Sequence, residues 1–125
     1  MMATENVAAV LRDLRTRVGG VATALVSRNG LVLLADLPEG VFSETYAVLC
    51  ATIFGAAMTA NHELNRAAPE RIVVEGPDAT TILVGTGESA LLVTVVDSSA
   101  DSVRVMSEMA KFVDLLSSLP GGPTP

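Results

Sequence analysis

Three observations predict an α+β fold, a three-layer α/β/α sandwich built on a five-stranded antiparallel sheet. Two apolar runs of strand length flank an Asn29-Gly30 step, the strongest short hairpin signal. Three further runs rich in Val, Ile and Thr lie between residues 71 and 96, separated by turns that contain Gly. Three longer segments, at both ends and in the middle of the chain, carry apolar residues at helical spacing. The order is α-β-β-α-β-β-β-α. Hairpin-joined strands with helices at the breaks give an antiparallel sheet covered by helices. The central helix is expected on one face and the terminal helices on the other.

The first helix is expected over residues 5 to 18. Val7, Val10, Leu11, Leu14 and Val18 form one apolar stripe, with Arg12, Asp13, Arg15 and Thr16 on the other side. Thr4 can cap its start, and Gly19-Gly20 can end it in the left-handed conformation. Val21 to Ser27 and Leu31 to Ala35 are the hairpin strands, with positive φ expected at both Asn29 and Gly30. Asp36 to Gly40 is a loop. The central helix follows from Ser43, a good N-cap, with Glu44 beside its positive end. Its apolar face is expected to be Tyr46, Leu49, Cys50, Ile53, Ala57, Ala60 and Leu64. The opposite face, Thr45, Val48, Thr52, Ala56, Thr59, Glu63 and Arg66, is small and barely charged. Solvated helix faces usually carry Lys and Glu, so this face is expected to be half of a protein–protein interface.

Arg71 to Glu75 is the third strand, and Gly76-Pro77-Asp78 turns the chain. Thr80 to Val84 is the fourth strand, and residues 85 to 89 form a turn. Ala90 to Val96 is almost wholly apolar, which predicts a central strand covered on both faces. Asp97-Ser98-Ser99 can cap the last helix, expected from Ala100 to Leu119. Its stripe is Val103, Met106, Ala110, Val113 and Leu116 or Ser117, widened by Met109, Phe112 and Leu115. The chain is thus expected to be a single domain over 1–119. A disordered tail is expected over 120–125, where Pro and Gly leave little to bury.

Composition narrows the function. The chain has 125 residues, enough for one real core. Half are hydrophobic while only 3% are aromatic, so the aliphatic excess leaves surface for an oligomer. The formal net charge is −6, from 14 acidic and 8 basic residues. That disfavours nucleic acid, whose binding depends on neutralising phosphates, and anionic membranes. Charged residues and glycines break every run before membrane-spanning length. With no signal-peptide pattern and a single cysteine, Cys50, the expected setting is soluble and cytoplasmic.

Reaction chemistry is sparse. His62 is the only histidine and has no partner at metal-ligand spacing, so it reads as a polar helix-end residue. Cys50 has no neighbouring base and reads as a small buried hydrophobe. Gly85-Thr86-Gly87-Glu88 lacks the phosphate-loop lysine and precedes a strand, so it reads as a turn. Arg12, Arg15 and Arg17 read as a solvated face. Arg28 reads as an exposed hairpin-tip residue that keeps the turn in water. Met58, Met106 and Met109 read as core. No catalytic residue, cofactor or metal is expected.

In order and spacing, these elements resemble the Roadblock family, named for a dynein light chain. The resemblance spans roughly residues 5 to 118. It is carried by Gly19-Gly20-Val21 after the first helix, by Ser27-Arg28-Asn29-Gly30-Leu31-Val32-Leu33, and by the Ala-rich helix 43–66. Ile72-Val73-Val74-Glu75-Gly76 and Ala90 to Val96 complete it. It implies a profilin-like fold and a homodimer. In that dimer the third strand pairs with its mate and the central helices lie side by side. Thr52, Gly55, Ala56 and Thr59, with Ile72, Val73 and Val74, would then form the dimer interface. It also implies a non-enzymatic module that binds Ras-like small GTPases, as the bacterial MglB type does, or an adaptor in motor and signalling complexes. By placement on the outward side of the paired helices, Thr45, Val48, Glu63 and Arg66, beside Thr52 and Thr59, are the expected partner-binding residues. Three readings follow: a dimeric GTPase regulator, a scaffold that touches no GTPase, and an enzyme or small-ligand sensor. The last lacks the convergent polar groups a site needs.

Overall fold

The computed structural model describes residues 2–118. The elements are α1 (Met2–Val18), β1 (Ala22–Ser27), β2 (Val32–Asp36), α2 (Ser43–Glu63), β3 (Arg71–Glu75), β4 (Ala79–Thr86), β5 (Ala90–Asp97) and α3 (Ser102–Ser118). The strands form one antiparallel sheet in the order β2-β1-β5-β4-β3. The expected three-layer architecture is present. α1 and α3 cover one face, where Leu11, Leu14, Met109 and Phe112 meet Leu25, Ile82, Leu92 and Val96. α2 covers the other, where Ala47, Cys50 and Phe54 meet Ala24, Val26, Leu83, Leu91 and Val93. β5 is central and buried on both faces, as its unbroken apolar run requires. Each fully buried Leu or Phe contributes about 1.5–3 kcal/mol, so these two aliphatic layers supply the stability that few aromatics would otherwise provide.

Several local expectations are corrected. α1 begins at Met2, so Thr4 lies inside it and not at its cap. The β1–β2 turn has positive φ only at Gly30 (+93°). Ser27 N–H donates to Leu31 O at 2.8 Å and Gly30 N–H to Ser27 O at 3.0 Å. This is a three-residue loop with one left-handed glycine, not a two-residue turn. β4 continues through Gly85 and Thr86, residues expected in the turn, because they pair with Leu91 and Ala90. Asp97 does not cap α3. Its carboxylate accepts from the N–H and hydroxyl of Ser99 at 2.9 and 2.6 Å, and the Ser99 hydroxyl bond, then the backbone bond, holds it below the usual carboxylate range. Asp101 caps instead, accepting from Val103 N–H at 3.1 Å and Arg104 N–H at 3.3 Å.

The buried stripe of α3 is Val105, Met109, Phe112 and Leu116. Val103, Ala110 and Leu115, expected inside, are exposed. The helix carries apolar residues on two adjacent stripes, and α1 covers only one. Arg104 fixes the pairing of the helix ends by donating to Arg17 O at 2.9 Å. Arg15 and Arg17 are ion-paired, to Asp36 at 3.2 Å and Asp13 at 2.7 Å. The tail expected at 120–125 lies outside the described residues.

Candidate protein-interaction face

α2 is the element that builds the face. Ser43 is its first helical residue and does not cap it. The cap position is Phe42, extended at φ −80° and ψ 105°, with no side-chain capping bond. The far end is tighter. Asn65 adopts φ +56°, Asn65 N–H donates to His62 O at 2.9 Å, and Arg66 N–H donates to Asn61 O at 2.8 Å. These are the two bonds of a Schellman ending. The Asn61 side chain adds a bond to Ala67 O at 2.9 Å. Arg66, expected on the helix, therefore lies just beyond it.

The buried side of α2 is Ala47, Cys50 and Phe54, with Tyr46, Ala51, Ala57 and Asn61 half-buried. Leu49 and Ile53, expected in the core, are 55% and 40% exposed. The reason is compositional. α2 is apolar nearly all round, so its periodicity does not choose the side that meets the sheet. The Phe54 ring lies in the cluster with Ala24, Val26, Leu83, Leu91 and Val93, its outer end beside Gly85 of β4.

The bland face is where the sequence places it. Thr45, Val48, Thr52, Gly55, Ala56, Thr59 and Glu63 are all exposed. A methyl added at Gly55 would meet nothing within 4 Å, so the backbone is open to close approach. The Thr52 hydroxyl donates to Val48 O at 2.7 Å, which uses its polarity within the helix. With Leu49 and Ile53 the face becomes broader and more apolar than expected.

β3 is an edge strand paired only to β4 among the described residues, in an unbroken register from Arg71↔Val84 to Glu75↔Thr80. Val73 and Val74 are exposed and Ile72 is half-buried. Ile72, opposite Leu83, packs into the core beneath α2, and alternation puts Val74 on the same side. Val73 sits opposite Ile82, which faces α1 and α3. Of the three β3 residues expected at the dimer interface, only Ile72 and Val74 share a side with the α2 residues. Val73 can contribute only through its backbone edge and the other face.

Arg28 is the residue that sequence reasoning missed. It is not a free hairpin-tip cation. Its Nε donates to Ala90 O at 3.1 Å and its Nη2 to Gly87 O at 2.8 Å, and its guanidinium lies 4.9 Å from the Phe54 ring centroid. Its Nη1 approaches the Met58 sulfur at 3.5 Å. It ties the β1–β2 turn to the β4–β5 turn and to α2. Gly85 of β4 is the point of close approach. A Cβ there would stand 2.7 Å from Arg28 Nη2.

On the buried side of α2, two ionisable groups are shifted toward their neutral forms. Burial pushes the Cys50 thiol up, opposed by its hydrogen bond with Tyr46, and burial likewise pushes the Tyr46 phenol up. A neutral buried thiol is neither nucleophile nor metal ligand. Among the described residues no group of three His, Cys, Asp or Glu could hold a metal. A groove of about 230 Å³ lies between α1 and α3, on the far side of the sheet from α2. Its charged residues pair with each other, Asp13 with Arg17 and Glu108 with Lys111. No helix among the described residues is long and apolar enough to cross a membrane.

With the geometry in place, comparison with known proteins decides the family. Residues 7–96 match the Roadblock/LC7 domain. The chain belongs to the Roadblock/LC7 family. An uncharacterized protein of Methanocaldococcus jannaschii, MJ0714, is 26% identical over 110 residues, covering 88% of this chain and 92% of that protein. The solved structure of Myxococcus xanthus MglB superposes at a TM-score of 0.86 with 18% identity, covering 91% of this chain and 86% of that one. A second solved structure, described as MglB with tetrameric arrangement, gives 0.84 at 25% identity, covering 92% and 88%. The Roadblock/LC7 elements of this chain thus include α2 and β3, the two that carry the candidate face.

Proposed function

We propose that this Roadblock/LC7 chain is a homodimeric, non-enzymatic module that binds and regulates a Ras-like small GTPase. The observation that carries the reading is the regular β3 edge, open between Arg71 and Glu75, on the same molecule as a broad apolar face of α2. Proteins normally bend, charge or cover such edges, and β3 carries Val73 and Val74 in the open. In this reading β3 pairs with β3 of a second copy. The side of α2 that carries Leu49, Ile53, Ala56 and Thr59 packs on its mate, with Thr52 allowing close approach, whereas Gly55 lies on the stripe of Val48, seven residues before it. Ile72 and Val74 extend the seam. A buried area of about 1,200–2,000 Å² is typical of such interfaces. Thr45, Val48, Glu63 and Arg66 stay at the outer surface for the partner.

In this reading it acts on a GTPase by binding one conformation of it more tightly than the other. The test is GTP hydrolysis by purified Ras-like GTPases of the same genome, with and without this protein. Acceleration that Thr45→Arg or Val48→Arg abolishes supports the reading. Tight binding with unchanged hydrolysis would favour the adaptor reading, and no binding to any GTPase would overturn the regulator reading.

A further inference from the structure

Thr23 and Thr94 are buried, at 1% and 0% exposure, and stand opposite each other in the β1–β5 ladder. Opposed residues of an antiparallel pair point to one face, with Cβ atoms about 4.5–5.5 Å apart. Alternation identifies that face. Leu25, two residues after Thr23, packs with α1 and α3, as do Leu92 and Val96, two residues either side of Thr94. Both threonine side chains therefore lie beneath those helices, in a layer that is otherwise aliphatic. Neither Oγ1 has a hydrogen-bond partner among the described residues, and Arg15 Nε is a third buried polar atom in the same position.

Arg15 reaches the same row from α1. Its stem crosses the head of β1, since a Cβ at Gly20 would stand 3.5 Å from Arg15 Cγ and 3.3 Å from Val95 O. Its tip ends on Asp36, with Nη1 donating to the two carboxylate oxygens at 3.3 and 3.2 Å. Asp36 is opposite Thr23 in the β1–β2 ladder, and Val95 follows Thr94 in the chain. Nε, between stem and tip, thus lies along the row Asp36, Thr23, Thr94. A buried hydroxyl without a partner is costly, and three such polar atoms along one row share a need. The Asp36 carboxylate opposes an anion there, and the Arg15 guanidinium opposes a cation. Water can accept from Nε–H and from one hydroxyl while donating to the other, and internal waters make about three such bonds. We propose that Thr23, Thr94 and Arg15 form a binding site for one buried water, which ties α1 to β1 and β5.

A high-resolution crystal structure of the whole chain, with urea titrations of variants, tests the site. The crystal is expected to show one water within about 3.2 Å of both Oγ1 atoms and of Nε. A direct bond between the two hydroxyls, with no water between them, would overturn the site. Thr23→Val and Thr94→Val keep the side-chain shape and remove one hydroxyl each. Either is expected to lower the urea midpoint by roughly 0.5 M, because the water loses a partner. The second substitution should cost less than the first, since the site is already broken. An unchanged or higher midpoint in either single variant means that the hydroxyl was simply unpaired, and the proposal fails. Arg15→Lys keeps a cation beside Asp36 and removes Nε. Its cost should shrink in the double-valine background, and an equal cost in both backgrounds would strike Arg15 from the site.

Discussion

Arg28 holds groups from two other parts of the chain, and that makes it the polar residue whose loss should be felt furthest. It bonds two carbonyls at the β4–β5 turn and lies over Phe54 of α2. Arg28→Ala leaves those carbonyls to water and removes a cation–π contact, at a cost of about 2 kcal/mol in a urea titration. Arg28→Lys should recover less than half, because a point charge cannot meet both carbonyls and the ring at once. Cys50 gives a pH prediction. Burial raises its thiol above the free value, so the folded chain keeps a proton that the unfolded chain loses. Stability is then whole below about pH 8.5, the free-thiol value, and falls as pH rises beyond it. Urea midpoints at pH 7 and 9.5 check this, with Cys50→Ala expected to reduce the difference. In the native protein at pH 7.5, Cys50 should react with a thiol reagent only at the rate of local opening.

At the scale of elements, α2 decides both the core and the face. Phe54→Ala should cost about 3–5 kcal/mol, since the ring is fully buried under the sheet. Leu49→Arg should leave the urea midpoint nearly unchanged and convert a dimer to a monomer. The contrast between these two substitutions separates core from interface on one helix. The sequence made the strands legible because their turns carry Gly, Pro and Asn, and β3 appears with the bounds expected of it. It made the rotation of α2 and α3 illegible for one shared reason. Each helix has more apolar residues than one buried stripe can hold, so period alone does not say that Leu49, Ile53 and Val103 face outward. The bland outer face was legible because Thr45, Thr52, Ala56 and Thr59 stand where a solvated helix would carry charge. The role of Arg28 was not, because its carbonyl partners lie about sixty residues away in the chain and no local pattern announces them.

For the whole molecule, the sheet has one guarded edge and one open edge. β2 is bulged, whereas β3 is regular and exposed. A dimer closed through β3 would make a ten-stranded sheet with both α2 helices on one face and a β2 edge at each end. Light scattering coupled to size exclusion at low micromolar concentration tests that closure most directly. The expected result is twice the chain mass for the wild type and the chain mass for a β3 variant such as Val74→Lys, with unchanged helical content. A wild-type protein that elutes as a monomer at that concentration would contradict it.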